Sequence, residues 1–336
     1  MQKHNRLQPL LLALSIADAF GAGVEFQDRD WIRANVDFTR FVNARNLIKI
    51  EEDRLAIFTE NYYAWDYTDD TEMTVGLVKA LMADEIFTEE LLVRKWRKEY
   101  ADGTRRKGYG RNGHGSMRWY YDGEKTIEEV RDFQRNRPNP GNAPAMRATP
   151  LGLLPEHLIN EYATINARAT HPHPHAVMSS QIVARAAHHF LVRDGSPQDV
   201  FDYCLSNIEF DPEFQQYLIA VNGLPKYGQL TKAHFEILCG PQPIRPPYFL
   251  PGINGMPSDS KYTAGCILYV LRESEDAMDA LRKSVLIGGD VDSVASVTTA
   301  IMAGKHGLDS IPDFMIKSTE KISDLSSLRL PNTLLN

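Results

Sequence analysis

The sequence predicts an all-α protein organised as one large helical domain over residues 1–336. Three observations predict it. Apolar residues recur at three- and four-residue spacing in segment after segment, period-two alternation is nearly absent, and glycines or acid–hydroxyl clusters mark the ends of the periodic runs. No compositional break, low-complexity tract or internal repeat divides the chain, which favours one unit over two.

The N-terminal stretch MQKHNRLQPLLLALSIADAFG sets basic residues ahead of an apolar run and so imitates a signal peptide. Pro9 at the head of that run and Asp18 within it argue against the imitation, and a cytoplasmic protein is expected. The next element starts in the turn WDYTDDTEMTVGL, Trp65 to Leu77. Asp69 and Glu72 stand at capping-box spacing, and Met73, Leu77, Val78, Leu81 and Met82 continue as a helical stripe. Further helices are predicted over Glu89–Tyr100, over the alanine-rich Val177–Val192 and over Thr263–Leu271. Another runs from Asp276 to Ile287 and stops at Gly288-Gly289; Asp290 to Ser293 then leads into a last one, Val294–Ala303, terminated by Gly304. Between these lie long stretches rich in Gly, Asn and Pro: Ala101–Gly115, Asn136–Pro144 and Gln242–Ser260. Loops of that length in a compact protein are usually functional, and they read as rims of a site.

Composition narrows the functional classes. With 43% hydrophobic and 24% charged residues the chain is ordinary globular material, without a membrane-span signature. A net charge of −7 argues against a general nucleic-acid-binding surface. Cys204, Cys239 and Cys266 are too few and too widely spaced for a disulfide framework or a Cys-x-x-Cys metal site. A monomer is expected.

Two acidic turns hold the chemistry. The first carries Asp66, Thr68, Asp69, Asp70 and Thr71; the second is GGDVDS, Gly288 to Ser293. Each sits at a predicted helix start, where Thr68, Asp69, Asp292 or Ser293 taken singly would serve as an N-cap. Capping needs one side chain per helix, however, and each turn offers at least two acids and a hydroxyl. Closely spaced carboxylates repel unless something positive lies between them. An all-oxygen Asp/Thr/Ser set suits Mg²⁺ or Ca²⁺ and not zinc; two such turns brought together would hold two magnesium ions roughly 3.5–4 Å apart.

In this order, TDDT at Thr68–Thr71 and GGDVDS at Gly288–Ser293 resemble the ADP-ribosylglycohydrolase family. Other segments resemble its landmarks too: ADAFGAGVEF (Ala17–Phe26), KGYG (Lys107–Gly110), GNAPAMR (Gly141–Arg147) and THPHPHA (Thr170–Ala176). The resemblance implies a compact all-α fold, two Mg²⁺ ions, and cleavage of the bond joining C1″ of ADP-ribose to an acceptor, either a protein side chain or a small conjugate. Carried over by position, Thr68, Asp69, Asp70, Asp290, Asp292 and Ser293 would be the metal ligands, with Asp69 and Asp70 also counted as catalytic. Glu25 would be the acid beside the metals. Asp18, Gly108, Tyr109, Gly110, Gly141, Asn142 and His171 would contact substrate. Ala17, Ala143 and Pro144 stand where the family pattern has glycines, and Ser293 where threonine is frequent.

Three rival readings accompany this one. His171, His173 and His175 have the His-x-His spacing of metal hydrolases, although Pro172 and Pro174 disfavour the strand such a site uses. Arg111–Gly115 is basic and glycine-rich but lacks a P-loop ending, while Trp119, Tyr120 and Tyr121 read as core more readily than as an adenine platform. A non-catalytic descendant that binds ADP-ribose or a toxin is the alternative in function. Lost oxygen ligands would favour it.

Overall fold

The computed structural model describes residues 6–44, 64–102, 116–245, 252–319 and 325–334. In chain order the α-helices are α1 (Leu7–Ala22), α2 (Arg29–Asn35), α3 (Asp69–Leu81), α4 (Glu89–Asp102), α5 (Ser116–Tyr121), α6 (Ile127–Arg135), α7 (Ala143–Met146) and α8 (Ile159–Arg168). Then follow α9 (Pro174–Leu191), α10 (Val200–Asn207), α11 (Pro212–Asn222), α12 (Lys232–Cys239), α13 (Ser260–Glu273), α14 (Ala277–Val285), α15 (Asp292–His306) and α16 (Asp313–Ser318). Among the described residues only isolated bridges occur, and no strand. The all-α expectation holds.

The N-terminal apolar run is α1, buried on nearly every side. It packs most extensively on α15, and the two run antiparallel. Gly21 near the end of α1 meets Asp292 at the start of α15, while Gly304 near the end of α15 meets Leu10 and Arg6. A β-carbon on Gly21 would fall 2.6 Å from Asp292 Cα, so this glycine admits the second acidic turn to the face of α1. Helix α9, also buried through most of its length, packs on α7, α8, α10, α13 and α15. Side chains from α1 through Leu330 belong to one hydrophobic cluster.

Two expected boundaries move, each for a tertiary reason. Helix α15 does not end at Gly304 but continues to His306, where Gly307 at φ 91° terminates it. Gly304 is needed for space instead: its β-carbon would lie 2.7 Å from Leu191 Cδ2. Helix α9 starts at Pro174, three residues before the expected Val177, with the proline in the first turn, where a missing N–H costs nothing. Of the three aromatics, Tyr121 is buried and stacks on Tyr100 at 4.5 Å, while half-buried Trp119 packs edge-on against Phe133.

Candidate metal centre

Helix α3 lacks the expected Asp69–Glu72 capping box. Thr68 is the N-cap, and its own side chain caps nothing. The cap comes from α1: Asp18 Oδ2 accepts the N–H groups of Thr68 and Thr71, each at 2.9 Å. The Thr68 and Thr71 hydroxyls donate to Asp18 Oδ1 and Oδ2, each at 2.6 Å. A carboxylate 50 residues upstream thus satisfies two of the free donors of this helix start. Asp18, expected to contact substrate, is fully buried, and both its oxygens hold the acidic turn. Released from capping, Asp69 and Asp70 face the second turn, and Asp70 Oδ1 lies 3.1 Å from Ser296 Oγ of α15.

The second turn is built by glycines at positive φ, Gly288 at 77° and Gly289 at 81°. Gly289 is paired on both sides. Phe26 N–H donates to its carbonyl (2.8 Å) and its own N–H donates to Gln27 O (3.0 Å). On the other flank, Met256 N–H donates to Gly288 O (2.8 Å) and Asp290 N–H to Met256 O (2.9 Å). This junction sets Glu25 beside the turn. Glu25, Asp290 and Asp292 are all buried and each offers an oxygen, these three lying within 4.8 Å of one another. Asn142 Nδ2 donates to Asp290 Oδ2 (2.9 Å) and lies 3.2 Å from Thr263 Oγ1, joining the Gly141–Asn142 loop to the acidic centre.

The electrostatics of this arrangement are unfavourable without a cation. Burial raises Asp69 and Asp70 well above the ordinary carboxylate range, and the negative charge of Asp292, then of Asp18, adds to it. Burial lifts Asp18 from 3.8 to about 6 against the lowering pull of the Thr68 and Thr71 hydroxyls, with Asp292 pushing further up. Each raised acid binds its proton more tightly folded than unfolded, so stability is present at low pH and lost as pH rises through the folded value. Metal-free protein is therefore expected to lose stability as pH rises, between about pH 4 and 6 through Asp18 and from about pH 4 upward through Asp69 and Asp70. Thermal melts in chelator from pH 4 to 8 check this; a melting temperature that climbs across the range would overturn it.

His171 lies at the other side of the Gly141 loop. A β-carbon on Gly141 would sit 3.2 Å from His171 Nε2. Burial, then the charges of Arg147 and Arg137, hold His171 well below the ordinary histidine range, so the ring is neutral. Arg147 is fully buried over the Trp96 ring (3.9 Å) and donates to Asn166 and Thr170.

His173 and His175 do not join His171 in a cluster. His173 Nδ1 accepts from His175 N–H, and His175 Nε2 lies 2.9 Å from Asp211. Among the described residues, Glu25, Asp290 and Asp292 form the group arranged to hold an ion, and the histidine-based metal site finds no support. Gly108, Tyr109 and Gly110 lie outside the described residues, as does Arg111–Gly115. Sequence reasoning missed Ser296 and the capping role of Asp18. Ser296 carries the spacing signal, one helical turn beyond Asp292, on the face that Asp70 approaches.

Fold and site together define a class: an all-α protein with a buried, all-oxygen acidic centre between two helix starts. The family model for ADP-ribosylglycohydrolase matches residues 1–335, and the chain belongs to that family, whose members hydrolyse ADP-ribose conjugates. Human ADP-ribosylhydrolase ARH3 is 25% identical over 333 residues, covering 94% of this chain and 89% of that protein. The ADP-ribosyl-(dinitrogen reductase) glycohydrolase of Rhodospirillum rubrum is 26% identical over 198 residues, covering 56% of this chain and 58% of that one. A solved structure titled ADP-ribosylglycohydrolase-related protein complex aligns with a TM-score of 0.63 at 19% identity, covering 97% of this chain and 96% of the other. No helix among the described residues is long and apolar enough to cross a membrane.

Proposed function

We propose that the protein, acting as a single domain, hydrolyses the C1″ glycosidic bond of ADP-ribose attached to a protein side chain or small acceptor, at a centre holding two Mg²⁺ ions. The observation that carries this is the convergence of Glu25, Asp290 and Asp292 within 4.8 Å, buried and next to the Asp69–Asp70 turn. Carboxylates at that spacing and burial need a cation, and hard oxygen donors suit magnesium. Thr68, Asp69, Asp70, Asp290, Asp292 and Ser293 would hold the ions. When bound, Mg²⁺ supplies Lewis-acid polarisation and positive charge at the ribose.

The chain's own residues do the rest. Glu25, placed against the acidic centre, handles the proton of the attacking water as positive charge builds on the sugar ring. The Gly141–Asn142 loop and His171 bind the nucleotide, and Asn142 ties that loop to Asp290. Asp18 is a positioning residue: by capping α3 it keeps Thr68, Asp69 and Asp70 in register. Asp18→Asn is expected to weaken magnesium binding by roughly 10–100-fold, the usual range for a partner that orients ligands, with little change in ADP-ribose affinity at saturating metal. Calorimetric titrations of Mg²⁺ and ADP-ribose separate the two, and an unchanged magnesium affinity would sink the role.

The reading is tested by release of ADP-ribose from an ADP-ribosylated protein with Mg²⁺, with Ca²⁺ and in chelator. Magnesium-dependent release is expected. Binding of ADP-ribose without turnover under every condition would favour the non-catalytic alternative.

A further inference from the structure

We infer that the start of α13 is a positioning element for the substrate: Ser260 and Thr263 hold residues 140–142 at a set distance from the acidic centre, and the Asn142 side chain is the strut between the two. The inference rests on the reading of this site as one for ADP-ribose. It adds Ser258, Ser260 and Thr263 as residues that act through the loop.

Helix α13 is capped so that one donor is left for the loop. Asp259 Oδ1 accepts the N–H groups of Lys261 (2.8 Å) and Tyr262 (3.2 Å). The N–H of Ser260, at the first helical position, donates instead to Pro140 O at 2.9 Å. The Ser260 hydroxyl donates to Gly141 O at 2.5 Å. One turn on and on the same face, Thr263 Oγ1 accepts from Asn142 Nδ2 at 3.2 Å. Ahead of the helix, the Ser258 hydroxyl donates to Asn142 Oδ1 at 3.3 Å. Ser260 and Thr263 are fully buried, so water does not compete for their bonds.

The Asn142 amide is spent within the chain. It has two N–H donors, and they go to Thr263 Oγ1 and to Asp290 Oδ2, the latter at 2.9 Å. An ionised carboxylate only accepts, which fixes the nitrogen end of the amide toward Asp290 and leaves the oxygen end for Ser258. Neither hydrogen is then available to a ligand. Residues 256–263 hold the acidic side as well, since Met256 N–H donates to Gly288 O and Asp290 N–H to Met256 O. One segment thus sets the spacing between the acidic centre and the loop, and a substrate that spans both finds that spacing already made. Cutting the Ser260 and Thr263 bonds releases the loop while Asp290 stays tied to Met256.

Three measurements on the full-length protein test this. In the unaltered, ligand-free protein the Asn142 side-chain NH₂ should exchange with solvent far more slowly than a solvated amide, read by NMR. Calorimetric titration of ADP-ribose into magnesium-loaded S260A/T263V should show binding weakened by roughly tenfold or more, the scale of two lost buried hydrogen bonds. S260A/T263S, which restores one hydroxyl, should recover part of that loss. Magnesium titrated into metal-free S260A/T263V should lose less than the roughly tenfold that marks a partner orienting a metal ligand. Fast exchange of the Asn142 amide would overturn the inference alone. So would a double variant that melts lower yet binds ADP-ribose as tightly as the unaltered protein, or one that loses magnesium and ADP-ribose affinity equally. Failure of the unaltered protein to bind ADP-ribose would overturn the functional reading and the positioning role together.

Discussion

Asp292→Asn is expected to abolish hydrolysis of ADP-ribosylated protein while raising the melting temperature of the metal-free protein at pH 8. The two effects have one cause. Asp292 is the first charge that raises both Asp69 and Asp70, and it pushes on Asp18 as well. Its carboxylate lies within 4.8 Å of the oxygens of Glu25 and Asp290. An amide keeps the shape and removes the charge, so like-charge repulsion in the metal-free protein falls. The same change removes a strong ligand and the field that holds a cation, for which we expect a loss of turnover on the order of 10²–10³-fold or more. Activity assays, metal content after desalting and melts with and without Mg²⁺ read all of it. A merely structural acid would give the reverse, with intact turnover and a less stable fold.

Gly289→Ala is expected to be the most damaging single substitution for folding. At φ 81° a β-carbon is strained in any surroundings. Here it would also fall 2.2 Å from Met256 O and 2.4 Å from Met256 N, which are backbone atoms that no rotamer change can move aside. Residues 26–27 and 256 both pair with the Gly288–Asp290 segment, so relief requires breaking the junction that sets Glu25 beside Asp290. The combined strain and overpacking should cost on the order of 3–5 kcal/mol, read by urea denaturation. A soluble variant of unchanged stability and full activity would show that the junction does not position the site. Gly123→Ala is a control for the backbone term alone, since φ there is 75° and nothing lies within 4 Å of its β-carbon.

Local chemistry was legible because it lies in neighbouring residues. Three threonines and three aspartates ahead of an apolar stripe announced a helix start with more acid than capping needs. Gly288-Gly289 announced a reversal, and both residues do take positive φ. Where the reading misplaced something, the deciding atom came from far along the chain. Asp69 was expected to cap its own helix because capping boxes are local; Asp18 takes that place from 50 residues away. Gly304 was expected to end a helix, as helix-ending glycines often do. Instead it admits Leu191, and Gly307 ends the helix.

The sequence by itself determined the helical class, the two acidic turns and the oxygen-only character of the donors, because side-chain chemistry and short-range periodicity are properties of the string. Tertiary structure alone decided that the two turns meet, that Asp18 serves Thr68 and Thr71, and that Arg147 reaches Asn166 and Thr170. Those contacts depend on how α1, α3, α9 and α15 pack, and packing is settled by shape complementarity over the whole core, which no window of neighbouring residues encodes.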